Sequence, residues 1–234
     1  MQLDIDDVHV WHIEKKRHLD EVDSLKTLLS SDEIERAQRF KFERDQTGFI
    51  IFRGYLRKIL AHYEKCYPDQ LRFKYNTHGK PIIANPNVTI EFNISHTKEH
   101  ALLAVALHAP IGIDIEKMED KHNYYGIAKR FFSEEEYDYI VAQKENALHC
   151  FYRYWTCKEA FVKALGEGIH YGLNRFAIEF VDHQAANLVK TDDDTIDMDH
   201  WLLMTLEAIP DHVASIALSR RLLNIKYFGV DDLS

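Results

Sequence analysis

The sequence predicts an α+β protein made of two similar halves in tandem, residues 1–110 and 111–234, each of helices packed on a small antiparallel sheet. Two observations predict it. Helical signals followed by a strand meander occur twice along the chain. The second copy also echoes the first: Ser133-Glu134-Glu135-Glu136 opens a helix as Ser31-Asp32-Glu33-Ile34-Glu35 does, and His212–Leu218 repeats the pattern of His100–Ala106. The composition, 46% hydrophobic and 29% charged over 234 residues, is that of a chain able to bury a sizeable core. A pseudo-two-fold seam between such halves is a natural place for a ligand.

Val8–Ile13 alternates apolar and polar residues and reads as a half-buried strand. Ser30 and Ser31, followed by acids, start a helix, and helical character runs on through Phe49–Ala61. Arginines at 36, 39, 44, 53 and 57 recur along this region, either solvated or gathered for an anion. Leu71–Tyr75 alternates, and Asn76-Thr77-His78-Gly79-Lys80-Pro81 has turn chemistry. Val88–His96 is a strand ending in small and polar groups, and Ala101–Leu107 is a nearly continuous apolar strand. Ile111–Glu116 alternates again, before a polar break over Lys117–Asn123.

In the second half, Ser133 with Glu136 three residues on forms a capping box, and helix continues to Leu165. Its last stretch, Trp155–Gly166, is closed by glycine and carries Trp155, Glu159 and Lys163 at i, i+4 and i+8, roughly on one face. Phe176–Phe180 and Trp201–Leu206 read as strands joined by an Asp-rich, solvated hairpin connection (Asp192, Asp193, Asp194, Asp197, Asp199).

Several classes are disfavoured. No run approaches the roughly 18 apolar residues of a membrane span. The acidic N-terminus lacks the layout of a signal peptide, and Cys66, Cys150 and Cys157 make neither a disulfide framework nor a cysteine zinc site. A cytoplasmic protein is expected. The net charge of −9 argues against nucleic acid as a partner, though not against a local basic pocket for a phosphorylated small molecule. His96 and His100 have a metal-like spacing, but the segment lacks the glutamate of a zinc hydrolase helix; Gly79-Lys80 lacks the rest of a P-loop. Neither a nucleophile elbow nor a dinucleotide glycine fingerprint is present.

Asp114 and Glu116, two apart on a strand, share a face opposite Ile111, Ile113 and Ile115. Paired carboxylates repel unless the strand end runs into solvent or a cation sits between them. Oxygen-only ligands suit a hard ion such as Mg²⁺. Gly112 marks a close backbone approach or a bend. If Glu159 meets this pair, three carboxylates would hold Mg²⁺ and Lys163 would reach an anionic leaving group. Ser95, His96 and Lys80 add donors suited to phosphate.

Gly79-Lys80-Pro81, Phe92-Asn93-Ile94-Ser95-His96, Ile111–Glu116, Arg130-Phe131-Phe132-Ser133 with Glu136, and Trp155-x-x-Lys158-Glu159-Ala160-x-x-Lys163-x-x-Gly166 follow one another in that order. Together they resemble the surfactin-type 4'-phosphopantetheinyl transferases over roughly residues 30–180. The resemblance implies a pseudo-two-fold fold with coenzyme A in the cleft between halves. It implies Mg²⁺-dependent transfer of the phosphopantetheine arm to a serine of an apo acyl or peptidyl carrier protein, releasing 3',5'-ADP. By the same resemblance, Asp114, Glu116 and Glu159 would hold Mg²⁺, and Glu159 would also deprotonate the serine. Lys163 would stabilise the leaving phosphate, His96 would contact the pyrophosphate, and Lys80 and Ser95 would bind the nucleotide end. The family's basic pair in the first helix is incomplete, since Arg36 fits one place and Glu33 stands at the other; Arg39, Arg44 or Arg53 would substitute. A monomer is expected, because two halves already build one cleft. The alternative is a coenzyme A or nucleotide-binding module without transfer activity. A basic and aromatic contact for the carrier is expected around Lys129, Arg130 and Phe131, and Lys158, off the Glu159 stripe, has no role legible from sequence.

Overall fold

The protein is described from a computed structural model covering residues 2–84, 90–120, 123–168, 171–206, 209–220 and 224–233. Val88 and Thr89 of the expected strand, and Lys121 and His122 of the polar break, lie outside the described residues. In chain order the elements are β1 (Asp7–Glu14), α1 (Val22–Lys26), α2 (Ser31–Gln38), α3 (Glu43–Glu64), β2 (Phe73–Tyr75), β3 (Pro81–Ile83), β4 (Ile90–His96), β5 (His100–Leu107) and β6 (Ile111–Lys117). There follow α4 (Tyr124–Phe131), α5 (Glu134–Ala142), α6 (Ala147–Leu165), β7 (Phe176–Phe180), β8 (Ala185–Thr191), β9 (Leu202–Thr205), β10 (His212–Leu218) and β11 (Asn224–Gly229).

Period-two patterning explains the layers. The strands form a sheet in the order β11-β1-β5-β4 and another in the order β6-β10-β9-β8-β7, with β2 and β3 as a separate pair. Along β1 and β5, Trp11, Ile13, Ala101, Leu103 and Val105 pack with α3, while Val8, Val10, Leu102, Ala104 and Ala106 face the other way. Ile111, Ile113 and Ile115 of β6 meet that second set, together with Ala214, Ile216 and Leu218 of β10. The remaining face of the second sheet packs on α6 through Val213 and Ala217. The order is helix, sheet, sheet, helix, an α+β architecture with one long helix on each outer face.

Three local expectations change. The two helical stretches each break in two, α2 from α3 and α5 from α6. The segment between the strands expected at 176–180 and 201–206 contains a further strand, β8, so the Asp-rich loop joins β8 to β9. The sequence Ala-Ala-Asn-Leu-Val-Lys-Thr alternates too weakly to announce it. Finally β11, from the end of the chain, pairs with β1 in parallel within the first sheet. No helix among the described residues is long and apolar enough to cross a membrane.

The two halves share a buried device. In each, a serine precedes a short helix whose third residue is a glutamate that accepts from the serine's backbone N–H: Ser30 with Glu33 at 2.9 Å, Ser133 with Glu136 at 2.8 Å. Each glutamate is then held by a base from the long helix of its half. Arg57 Nε donates to Glu33 at 2.6 Å, and Lys158 Nζ donates to both Glu136 oxygens at 2.7 Å. Lys158 is fully buried and donates also to Phe176 O at 2.7 Å, while Ile178 N–H donates to Glu136 at 2.9 Å. Lys158 therefore ties α5, α6 and β7 together. That accounts for its place off the Glu159 stripe.

Candidate active site

Two edge strands of different sheets meet at the seam. Asn93 and Ser95 project from one face of β4 toward β6. The buried Asn93 amide oxygen accepts from Ile113 N–H at 2.9 Å, and Ser95 Oγ accepts from Ile115 N–H at 3.4 Å. Side chains thus satisfy backbone donors on either side of Asp114. Polar residues alternating at 93 and 95 in an apolar strand were the signal for this bridge, and for Asn93 sequence reasoning missed it.

On the opposite side, α6 lies against β6. Gly112 makes this possible: a Cβ there would stand 1.9 Å from Ala160 O and 2.5 Å from Ala164 N. The glycine therefore marks a close backbone approach. Trp155, Glu159 and Lys163 of α6 consequently line one cavity of about 380 Å³ with Ser95, His96, Asp114 and Glu116. The stripe on the helix and the acidic pair on the strand do meet.

Asp114 is 3% exposed. Its Oδ1 accepts from Lys163 Nζ at 2.6 Å and from Ser95 Oγ at 2.9 Å, and Lys163 Nζ also donates to Ser95 Oγ at 2.9 Å. Asp114 Oδ2 is buried with no hydrogen-bond partner among the described residues. Burial, then the charges of Asp114 and Glu159, push the Glu116 carboxyl up to about 7 against the opposing pull of Lys163. Burial and the Asp114 charge likewise raise Glu159. One ammonium among three carboxylates leaves negative charge uncompensated, and burial makes that costly.

A divalent cation answers both features, the orphaned Oδ2 and the raised glutamates, and the all-oxygen donor set suits a hard ion. The acids share a cavity without being gathered into a finished site. Among the described residues, no group of three His, Cys, Asp or Glu side chains stands arranged to hold a metal. Lys163 occupies the other oxygen of Asp114, Oδ1, in that arrangement.

A neighbouring cavity of about 560 Å³ is walled by Arg36, Arg44 and Arg53 of α2 and α3, with Tyr75 and Gly79 from the turn region. His96 and Ile94 line both cavities, so the basic and acidic chambers adjoin. His96 stacks on Phe52 with ring centroids 5.5 Å apart. Loss of hydration in the cleft, then the charges of Lys163 and Arg36, hold its imidazole below the usual histidine range. Arg53 is shared: Nε donates to Glu33 at 2.5 Å and Nη2 to Tyr75 Oη at 3.0 Å. Glu33, standing where a second base was expected, is buried between Arg53 and Arg57 and anchors the former at the wall of the chamber.

Two expected nucleotide ligands sit elsewhere. Ser95 belongs to the acidic cavity. Lys80 lines neither chamber; its Nζ donates to backbone carbonyls at the end of α6 and the start of β6. A third cavity, of about 730 Å³, opens on the far side of Glu116 and Trp155, between Ile127, Phe151 and Tyr152 and the lysines 98 and 117.

Known proteins resemble this chain along most of its length. Residues 15–108 match the family model of the 4'-phosphopantetheinyl transferase N-terminal region, and residues 110–217 match that of the 4'-phosphopantetheinyl transferase superfamily. The chain is 40% identical over 167 residues to the 4'-phosphopantetheinyl transferase HetI of a Nostoc species, covering 70% of each protein. It is 33% identical to a putative 4'-phosphopantetheinyl transferase of Synechocystis, covering 86% of this chain and 80% of that one. To the 4'-phosphopantetheinyl transferase ffp of Bacillus subtilis it is 32% identical, covering 74% and 80%.

Proposed function

Since this chain belongs to the 4'-phosphopantetheinyl transferase superfamily, we propose that it transfers the 4'-phosphopantetheine arm of coenzyme A to a serine of an apo acyl or peptidyl carrier protein. The observation that carries the proposal is the adjacency of a mainly basic chamber, walled by Arg36, Arg44 and Arg53 with Asp45 beside them, and a mainly acidic one, walled by Asp114, Glu116, Glu159 and Lys163. A molecule with a phosphorylated nucleotide at one end and a pyrophosphate beyond it matches that sequence of charges.

In this reading the arginines hold the 3'-phosphorylated nucleotide, and His96, at the junction, contacts the pyrophosphate. Asp114, Glu116 and Glu159 would hold Mg²⁺, which when bound supplies charge neutralisation and alignment of the pyrophosphate oxygens. Glu159, its affinity for protons raised by burial, takes the proton of the carrier serine directly or through water. The serine oxygen bonds to the phosphorus nearest the pantetheine arm, the bridging P–O bond breaks, and 3',5'-ADP leaves. The Lys163 ammonium, already facing the cavity, stabilises the departing phosphate. Phosphoryl transfer depends on alignment and charge more than on covalent help, and the residues are of that kind. The cavity beyond Glu116 leaves room for the arm and the incoming serine.

The halves 1–110 and 111–234 would each supply one wall of the cleft, with β11 lent back to the first, so that a cytoplasmic monomer suffices. The rival is a module that binds coenzyme A without cleaving it. Following 3',5'-ADP after adding an apo carrier separates the two. Release that requires both carrier and Mg²⁺ supports the transferase, whereas tight coenzyme A binding without release with any carrier class supports the module.

A further inference from the structure

Lys80 lies on the turn between β2 and β3, in the first half of the chain, yet its half-buried side chain bonds to the second. Nζ donates to Lys163 O at 2.9 Å, Ala164 O at 3.4 Å and Ile111 O at 3.1 Å. An ammonium has three N–H donors, and all three are engaged, so none is directed at a ligand. The acceptors explain the placement. The last carbonyls of a helix have no partner within it and carry the negative end of the helix dipole. α6 ends at Gly166, at φ +77°.

The turn around Lys80 is built to deliver it. Asn76 Oδ1 accepts from the N–H groups of His78 and Lys80 at 2.9 Å, and Asn76 Nδ2 donates to Gly166 O at 2.8 Å. The same turn thus grips the end of α6 twice, at 163–164 by charge and at 166 by an amide. The other Lys80 acceptor, Ile111 O, lies on β6 three residues before Asp114. One ammonium therefore joins the backbone of Lys163 to the strand that carries Asp114.

We infer that Lys80 is a positioning residue, a cap on the carbonyl end of α6 that sets where Lys163 stands relative to Asp114, and that its ammonium does not bind the 3'-phosphate of the nucleotide. The catalytic consequence rests on the proposed transfer activity; the capping role does not.

The test is Lys80→Met, which keeps the stem and removes the charge, alongside Lys80→Arg. Hydrogen exchange of the backbone amides in the last turn of α6 needs no activity, and in Lys80→Met it should quicken at least tenfold while α3 is unchanged. With a carrier, kcat should fall at least tenfold. The ratio of kcat/KM for coenzyme A to that for 3'-dephospho-coenzyme A should stay within twofold of wild type, and Lys80→Arg should recover most of both losses. A collapse of that ratio would assign the ammonium to the 3'-phosphate and overturn the inference. So would unchanged exchange at the end of α6. Should Lys80→Met fail to fold, Asn76→Ala loosens the same helix end, and the nucleotide ratio is then read in Lys80→Gln, which removes the charge but keeps a donor for the carbonyls. A wild-type protein that transfers nothing defeats the proposed function and leaves the exchange result standing.

Discussion

Lys163 Nζ lies 2.6 Å from Asp114 Oδ1, while Oδ2 of the same carboxylate is buried without a partner among the described residues. The ammonium thus pairs with only one oxygen of the carboxylate. Asp114→Asn keeps the shape and removes the charge, and it should lower kcat about 100-fold or more. Glu159→Ala should do the same. Both should keep the wild-type circular dichroism spectrum. Near-full activity in Glu159→Ala would remove it from the metal set and from proton transfer.

Lys163 sits against Asp114 as well as serving the leaving group, so its charge competes with a metal for that carboxylate. Lys163→Ala should therefore bind Mn²⁺ at least about tenfold more tightly, since a positive charge in contact with a ligand is gone. At the same time kcat should fall by about 100-fold. Calorimetry with Mn²⁺ and steady-state kinetics read the two effects separately. Weaker Mn²⁺ binding would contradict the competition.

Glu116 gives a pH dependence with a definite sign. Its carboxyl is pushed up to about 7 from an ordinary 4.5. Between those values the folded protein holds a proton that the unfolded chain has released, so metal-free stability through this group falls as pH rises from about 4.5 to about 7. A cation needs the ionised form, so its apparent affinity should rise up to about tenfold per pH unit below 7 and level off above. Calorimetric titrations at several pH values check this. Glu116→Gln should flatten both profiles, and an unaltered slope would assign the titration elsewhere.

The buried pair of Lys158 and Glu136 predicts a stability effect distinct from catalysis. Lys158→Met strands a buried carboxylate and should cost about 3–5 kcal/mol in urea unfolding. A loss below about 1 kcal/mol would contradict it.

Gly112→Ala puts a methyl group into the α6 backbone, 1.9 Å from Ala160 O. Helix and strand must separate, at about 3 kcal/mol or more. A thermal midpoint within a degree or two of wild type would show that the approach is looser than described.

Much of this was legible in the sequence because it is local. The alternation of Ile111–Glu116 and the four-residue spacing of Trp155, Glu159 and Lys163 are periodicities that place side chains on one face, and both faces line the same cavity. The capping box at Ser133 is a four-residue signal of the same kind. What depends on tertiary contact stayed hidden. Lys158 has no explanation without Glu136, 22 residues away, and Glu33 is understood only from the arginines of α3. In the sequence, Lys80 is a donor suited to phosphate in a Gly-Lys-Pro turn. Only the fold brings that turn onto the carbonyl end of α6, 83 residues on. The pairing of β11 with β1 joins the two ends of the chain, and no window of sequence contains it.

The central claim is that the acidic cavity at the seam performs transfer to a carrier. Intact-mass measurement of an apo carrier protein, incubated with coenzyme A, Mg²⁺ and either wild-type protein or Asp114→Asn, tests it most directly. Wild type should add the mass of one phosphopantetheine arm to the carrier, and Asp114→Asn should add none over the same time. An unshifted carrier with wild type, across peptidyl, polyketide and fatty-acid carriers and despite measurable coenzyme A binding, would contradict the account.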